Sequence, residues 1–159
     1  MNFNDLTYDE LDEHAIQRLV FDNEEISPVL KGHIFIENVL EDLISYHLKE
    51  PKALFSNRRS FELKIDLAKA MGLIDAKHYS AFKCLNNIRN KYAHKHDYAV
   101  HLRDLNGLIF DWEAIQKKAF DVAKTKSTAE AARISIIFLC WKAIALIKTE
   151  TSKTPTSNT

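Results

Sequence analysis

A chain of 159 residues with 46% hydrophobic residues is long enough to bury a substantial core, and with only 3 Gly and 3 Pro it has few turns and therefore long elements. Lys plus Arg number 22 and Asp plus Glu number 22, so no general field draws the chain to nucleic acid or to an anionic membrane. Any nucleic-acid binding must come from a local patch, which counts against a dedicated DNA-binding protein.

Residues 1–13 are acidic and lack the basic-then-apolar pattern of a leader. Thr7-x-x-Glu10 forms a capping box and predicts a helix over about Tyr8 to Phe21. Ser27-Pro28 supplies an N-cap followed by a proline at the first helical position, and a longer helix should run from there to about Lys49, stopped by Pro51. Its apolar positions Val29, Phe35, Ile36, Val39, Leu40, Leu43, Ile44 and His47 keep a helical period. Residues 50–59 read as a loop ending in Arg58-Arg59. Ser60 caps a third helix through Met71, with Gly72 as its stop, and Asp75 caps a fourth from about Ala76 to Ala93 with the stripe Phe82, Leu85, Ile88 and Tyr92.

Residues 95–103 are polar and expected to be irregular, and a fifth helix or broken pair covers about Asp104 to Lys124. Ser127-x-x-Glu130 is a second capping box, opening a helix to about Lys148. That helix is apolar nearly all round, with Ser135 and Lys142 on a narrow polar line, so it should be central to a bundle or lie in a subunit interface. Its most apolar run, residues 134–147, is too short to span a bilayer and contains Lys142. The expected fold is an all-α helical bundle, one domain over residues 1–150, with a disordered Ser/Thr/Pro-rich tail at 151–159. Cys84 and Cys140 lie in apolar patterns and read as buried, reduced thiols of a cytoplasmic protein. No Cys/His ligand grouping points to zinc, and no cofactor is expected.

The chemistry concentrates in Leu85-Asn86-Asn87-Ile88-Arg89-Asn90-Lys91-Tyr92-Ala93-His94. A guanidinium holds phosphate with a planar fork of donors, and an imidazole moves a proton near neutral pH. On a regular helix the five-residue spacing is about 500° of rotation, so the Arg89 and His94 side chains diverge by roughly 140°. They can share a substrate only if the helix bends or ends between them, or if a second subunit completes a cleft. If the helix continued, His96 would lie almost in line with Arg89. A simpler reading is that Lys91, His94, Lys95 and His96 are cations meeting the negative end of a helix dipole.

The spacing Arg89-Asn90-x-x-x-His94 resembles the signature of HEPN domains. Upstream, Lys64-Ile65, Leu67-Ala68 and Met71-Gly72-Leu73-Ile74 resemble the block that precedes that motif in the mannitol-repressor-type (MltR-like) branch of the superfamily. Gly32-His33-Ile34-Phe35-Ile36-Glu37 resembles that branch's second helix, which carries an acidic residue. The clear similarity covers residues 60–98 and a weaker one most of 28–148. The resemblance implies an antiparallel bundle with extra helices and a homodimer whose cleft holds the motif.

It implies Arg89 as phosphate and oxyanion stabiliser, His94 as general base or acid for attack by a 2′-hydroxyl, Asn90 orienting His94 or the phosphate, and Glu37 holding Arg89. The implied activity is that of an RNA-directed module, a metal-independent endoribonuclease or a degenerate RNA binder. The alternative is a non-catalytic transcriptional regulator of the mannitol-repressor type, acting through protein partners. Several toxin members carry a tyrosine two residues after the motif histidine; here it stands later, at Tyr98.

Three features are weaker. Arg58-Arg59 with Phe55 and Phe61 could contact nucleic acid, although a solvated loop is the simpler expectation. His33 and Glu37, four apart, are expected to be an ordinary surface pair. Trp112 and Trp141 are expected to be core or interface anchors.

Overall fold

The computed structural model describes residues 26–95 and 98–153, and the helix expected over 8–21 lies outside them. The described chain is all-α, with helices α1 (Ile26–Tyr46), α2 (Pro51–Phe55), α3 (Phe61–Ala70), α4 (Ala76–His94), α5 (Leu102–Leu105), α6 (Ala114–Lys126) and α7 (Thr128–Lys153), and a 3₁₀ turn at Asn106–Leu108.

Local chemistry sets several of the boundaries. The Ser60 side chain accepts a hydrogen bond from the Leu63 amide (3.2 Å) and Asp75 from the His78 amide (2.9 Å), so each satisfies an orphan donor of the helix it opens. Gly72 has φ +73°, a left-handed position that stops α3 at no steric cost. The Ser127 hydroxyl accepts from the Glu130 amide at 3.1 Å, as its capping spacing predicts.

Several boundaries differ from expectation. The first long helix already begins at Ile26, with Pro28 in its first turn, and ends at Tyr46 in two i→i−3 backbone bonds, from His47 to Ile44 and from Leu48 to Ser45. Pro51 does not merely stop a helix; it opens α2, because its fixed φ suits the start of a first turn and its missing N–H would have had no partner there. The expected irregular stretch after the motif helix gives way to α5 at Leu102. The last helix continues to Lys153, into the segment expected as a disordered tail, and residues 154–159 lie outside the described residues.

One hydrophobic core links all the longer helices. The α1 stripe is buried as its period predicts, apart from His47, which is exposed. Helix α7 lies across α1 and α6 and buries Ala131, Ala132, Ile136, Leu139, Cys140, Ala143 and Ile144. Its apolar character is thus used inside the chain. Its polar line is satisfied too: the Ser135 hydroxyl donates to the Ala131 carbonyl (2.8 Å), and Lys142 Nζ donates to the Asp111 carbonyl (3.0 Å). Helices α1 and α7 approach so closely at Gly32 that a Cβ there would overlap Ile136 Cγ2.

Trp112 is a core anchor, edge-on to Phe120 and Phe138; Trp141 is half-buried beside Phe138. Cys140 is fully buried, which pushes its thiol pKa far up. Cys84 departs from expectation: it is only half-buried, because it lies at the edge of the core against the short segment after α4. Its Sγ donates to the Asp104 carbonyl at 3.4 Å, and burial raises its pKa as well. No helix among the described residues is long and apolar enough to cross a membrane.

Candidate functional site

Helix α4 carries the motif and is flanked by two clefts. Asn86, Arg89 and Asn90, spaced i, i+3 and i+4, face α1 and α3; with His33, Glu37 and the Arg58–Phe61 segment they line a cleft of about 390 Å³. Asn87, Lys91 and His94 face the other way, and with Cys84, Arg103 and Asp104 they line a second cleft of about 580 Å³. Asn90 borders both.

The helix runs unbroken through His94, and Lys95 is extended at φ −128°, ψ 111°. The divergence of Arg89 and His94 expected from helix geometry therefore holds within one chain: the two line different clefts. His96 lies outside the described residues.

Arg89 is half-buried, and its Nη1 donates to Asn90 Oδ1 at 3.0 Å. Within one chain Asn90 is thus bonded to the arginine and not to His94. Glu37 lines the arginine's cleft, but its ion pair is with Lys64: Lys64 Nζ lies 3.0 Å from Glu37 Oε1 and 2.5 Å from Glu41 Oε2. His94 is exposed in the last turn of α4, where the helix dipole favours a cation, and has no hydrogen-bond partner among the described residues.

Beneath the arginine cleft lies a polar floor that sequence reasoning missed. His33 and Asn86 are both buried, with His33 Nε2 3.3 Å from Asn86 Oδ1, and the imidazole packs on Phe61 with ring centroids 4.2 Å apart. Glu37 Oε2 stands 4.0 Å from His33 Nδ1. The pair expected on the surface is instead enclosed, His33 buried and Glu37 half-buried, because Phe61 and Lys64 of α3 pack against it. Lys64 is buried as well, although it is a charged residue. One signal was available: Phe61, Lys64, Ile65 and Ala68 share one helical face, so Lys64 interrupts an apolar stripe.

Burial pulls the His33 pKa below its usual 6.5, assisted by the charges of Arg89 and Lys64; the Asn86 hydrogen bond and Glu37 oppose it without prevailing. An imidazole that resists protonation when folded takes its proton more readily when unfolded. Its contribution is intact above pH 6.5 and is lost as pH falls towards the lower folded pKa. The urea midpoint should therefore drop between about pH 7 and pH 5.5 more steeply for the native chain than for His33→Gln. Parallel pH profiles would show that His33 does not titrate this way.

The second cleft is held by Asp104, which accepts from Lys91 Nζ (2.9 Å), the Tyr98 hydroxyl (2.9 Å) and the His101 amide (3.0 Å). Burial alone would raise the Asp104 pKa, but these donors outweigh it and hold the carboxyl at about 2. The late tyrosine, Tyr98, is thereby tied to Asp104. Among the described residues no three His, Cys, Asp or Glu side chains gather where a metal ion could sit.

No family model, curated protein or solved structure matches this chain. Its functional reading rests on its own residues.

Proposed function

We propose that this chain is a HEPN-like, RNA-directed module that cleaves RNA without a metal, using Arg89 and His94. The observation that carries the reading is the state of the motif arginine. Among the described residues its guanidinium has no carboxylate partner, yet Asn90 holds it at the edge of an open cleft, ready for a phosphate oxygen. His94, on the same helix, is exposed with both ring nitrogens available to move a proton.

In this reading a ribose 2′-hydroxyl gives its proton to His94 and attacks the adjacent phosphorus. The bond to the 5′-oxygen breaks, that oxygen takes up a proton, and a 2′,3′-cyclic phosphate remains. Arg89 stabilises the charge on the non-bridging oxygens.

Because the two side chains line different clefts in one chain, the reaction needs His94 of one copy to approach Arg89 of another. A homodimer is therefore part of the reading. Because α7 is buried inside its own chain, its apolar surface no longer argues for one. Light scattering should give twice 18.3 kDa. Single-stranded RNA should be cut in the presence of EDTA, and DNA of the same sequence should stay intact. A monomer that leaves RNA whole under those conditions would remove this reading.

A second reading, a non-catalytic regulator acting through a protein partner, is favoured by exposed apolar side chains at helical spacing. Leu30 and Ile34 on α1 are 38% and 56% exposed, and Ile115 and Val122 on α6 are 69% and 51% exposed.

A further inference from the structure

The segment between α2 and α3 brings Arg58 and Arg59 to the cleft of Arg89, although Arg89 lies some thirty residues further along the chain. The cleft also contains two carboxylates, each engaged by a lysine that it shares with a second carboxylate: Glu37 by Lys64 (3.0 Å), which also meets Glu41, and Glu62 by Lys83 (2.9 Å), which also meets Asp66. Among the described residues none of the three guanidiniums has a carboxylate within 4 Å. Lys77, Lys91 and Lys124, elsewhere on the surface, each have one.

Two of the three arginines are instead held by neutral acceptors. Arg59 Nε donates to the Leu54 carbonyl at 2.8 Å, and Arg89 Nη1 to Asn90 Oδ1 at 3.0 Å. A neutral acceptor positions a guanidinium without cancelling its charge, and leaves its other N–H groups free for an oxyanion. On a chain of zero net charge this gathers three guanidiniums, none of them paired with a carboxylate, in a cleft whose two carboxylates are turned to lysines.

We infer that Arg58, Arg59 and Arg89 form a phosphate-binding cleft that anchors the backbone of an RNA strand, separate from the proton-transferring His94. The phosphate chemistry follows from the three guanidiniums; the choice of RNA as its carrier rests on the function proposed above.

The test measures binding of a labelled single-stranded oligoribonucleotide to the full chain carrying His94→Ala, which keeps the RNA whole. Arg58 is exposed and makes no hydrogen bond or ion pair among the described residues, so Arg58→Glu should melt like its parent. Arg58→Glu should weaken binding at low salt about tenfold or more, the size expected when one charge-assisted hydrogen bond to phosphate is removed. It should also make the salt dependence shallower by about 0.7 in log–log slope for each phosphate no longer neutralised. Lys117→Glu, on the exposed face of α6, changes the net charge equally and should alter binding less than about twofold.

Equal weakening by both substitutions, or by neither, would overturn the cleft. Arg58-dependent binding of inorganic phosphate with no binding of RNA would overturn RNA as the carrier. Arg58-dependent RNA binding by a wild-type protein that never cuts RNA would uphold the cleft and remove the nuclease.

Discussion

Arg89→Ala and His94→Ala proteins, each inactive alone, should recover about a quarter of wild-type RNA cleavage when mixed and allowed to exchange subunits, because half of randomly paired two-fold dimers would be mixed and each mixed dimer would hold one intact site. The expectation follows from the course of α4. It runs without a break from Ala76 to His94, so Arg89 and His94 line separate clefts.

A site built across two copies takes its arginine from one chain and its histidine from the other. A mixed dimer then has one site with both residues and one with neither. Alone, His94→Ala should lower cleavage by roughly 10²–10⁴-fold, as the loss of a proton-transferring side chain does, while leaving most RNA binding intact. Arg89→Ala should weaken both binding and cleavage, since it removes a group that holds phosphate. No recovery on mixing would mean that each site draws both residues from one chain. If wild type and both variants alike neither bind nor cut RNA at low salt, the regulatory reading stands. Arg89 would then be structural through its bond to Asn90, not through Glu37, which Lys64 occupies.

The largest effect on stability is expected at Lys64. Its ammonium is buried between Glu37 and Glu41, joining α3 to α1. Lys64→Met keeps the apolar stem but leaves two carboxylates without their cation. Removing one partner of a buried pair typically costs about 3–5 kcal/mol. The lower end, about 3 kcal/mol, applies here because the Glu41 side chain is 36% exposed and water screens it. For a chain of this size that is a fall in Tm of roughly 6–12 °C.

The combined variant Lys64→Met, Glu37→Gln, Glu41→Gln should regain much of the loss, since no uncompensated charge then remains. A Lys64→Met protein that melts within about a degree or two of wild type would show that the lysine contributes nothing at this junction. The same triad bears on the cleft: with Glu37 occupied by Lys64, the guanidinium of Arg89 keeps its charge for a ligand.

The features legible in the sequence were those with short physical reach. Ser60, Asp75 and Ser127 bond to amides three residues on, and Gly72 adopts a backbone that other residues resist. These interactions close within one turn and need no knowledge of the rest of the fold. Helical periodicity likewise identified the buried faces of α1 and α4, apart from the exposed His47 and the half-buried Tyr92, because apolar spacing repeats with the turn. The divergence of Arg89 from His94 followed from the rotation per residue alone. Pro51 misled because the same residue both forbids the interior of a helix and suits its first turn; only the following residues' packing decides which applies.

By itself, then, the sequence determined an all-α chain, both ends of α3 and α4 and the start of α7, and the presence of an arginine and a histidine on opposite sides of one helix. Only the tertiary structure decided which charges meet. It paired Lys64 with Glu37 across 27 residues and His33 with Asn86 across 53, and it laid Arg58 and Arg59 beside Arg89. Those pairings depend on the rotation and depth of α1, α3 and α4 against one another. Rotation and depth are set by the fit of the whole core, with side chains such as Ile36, Ile65, Phe82 and Leu85 interlocking at close-packed density, and no short window of sequence contains that information.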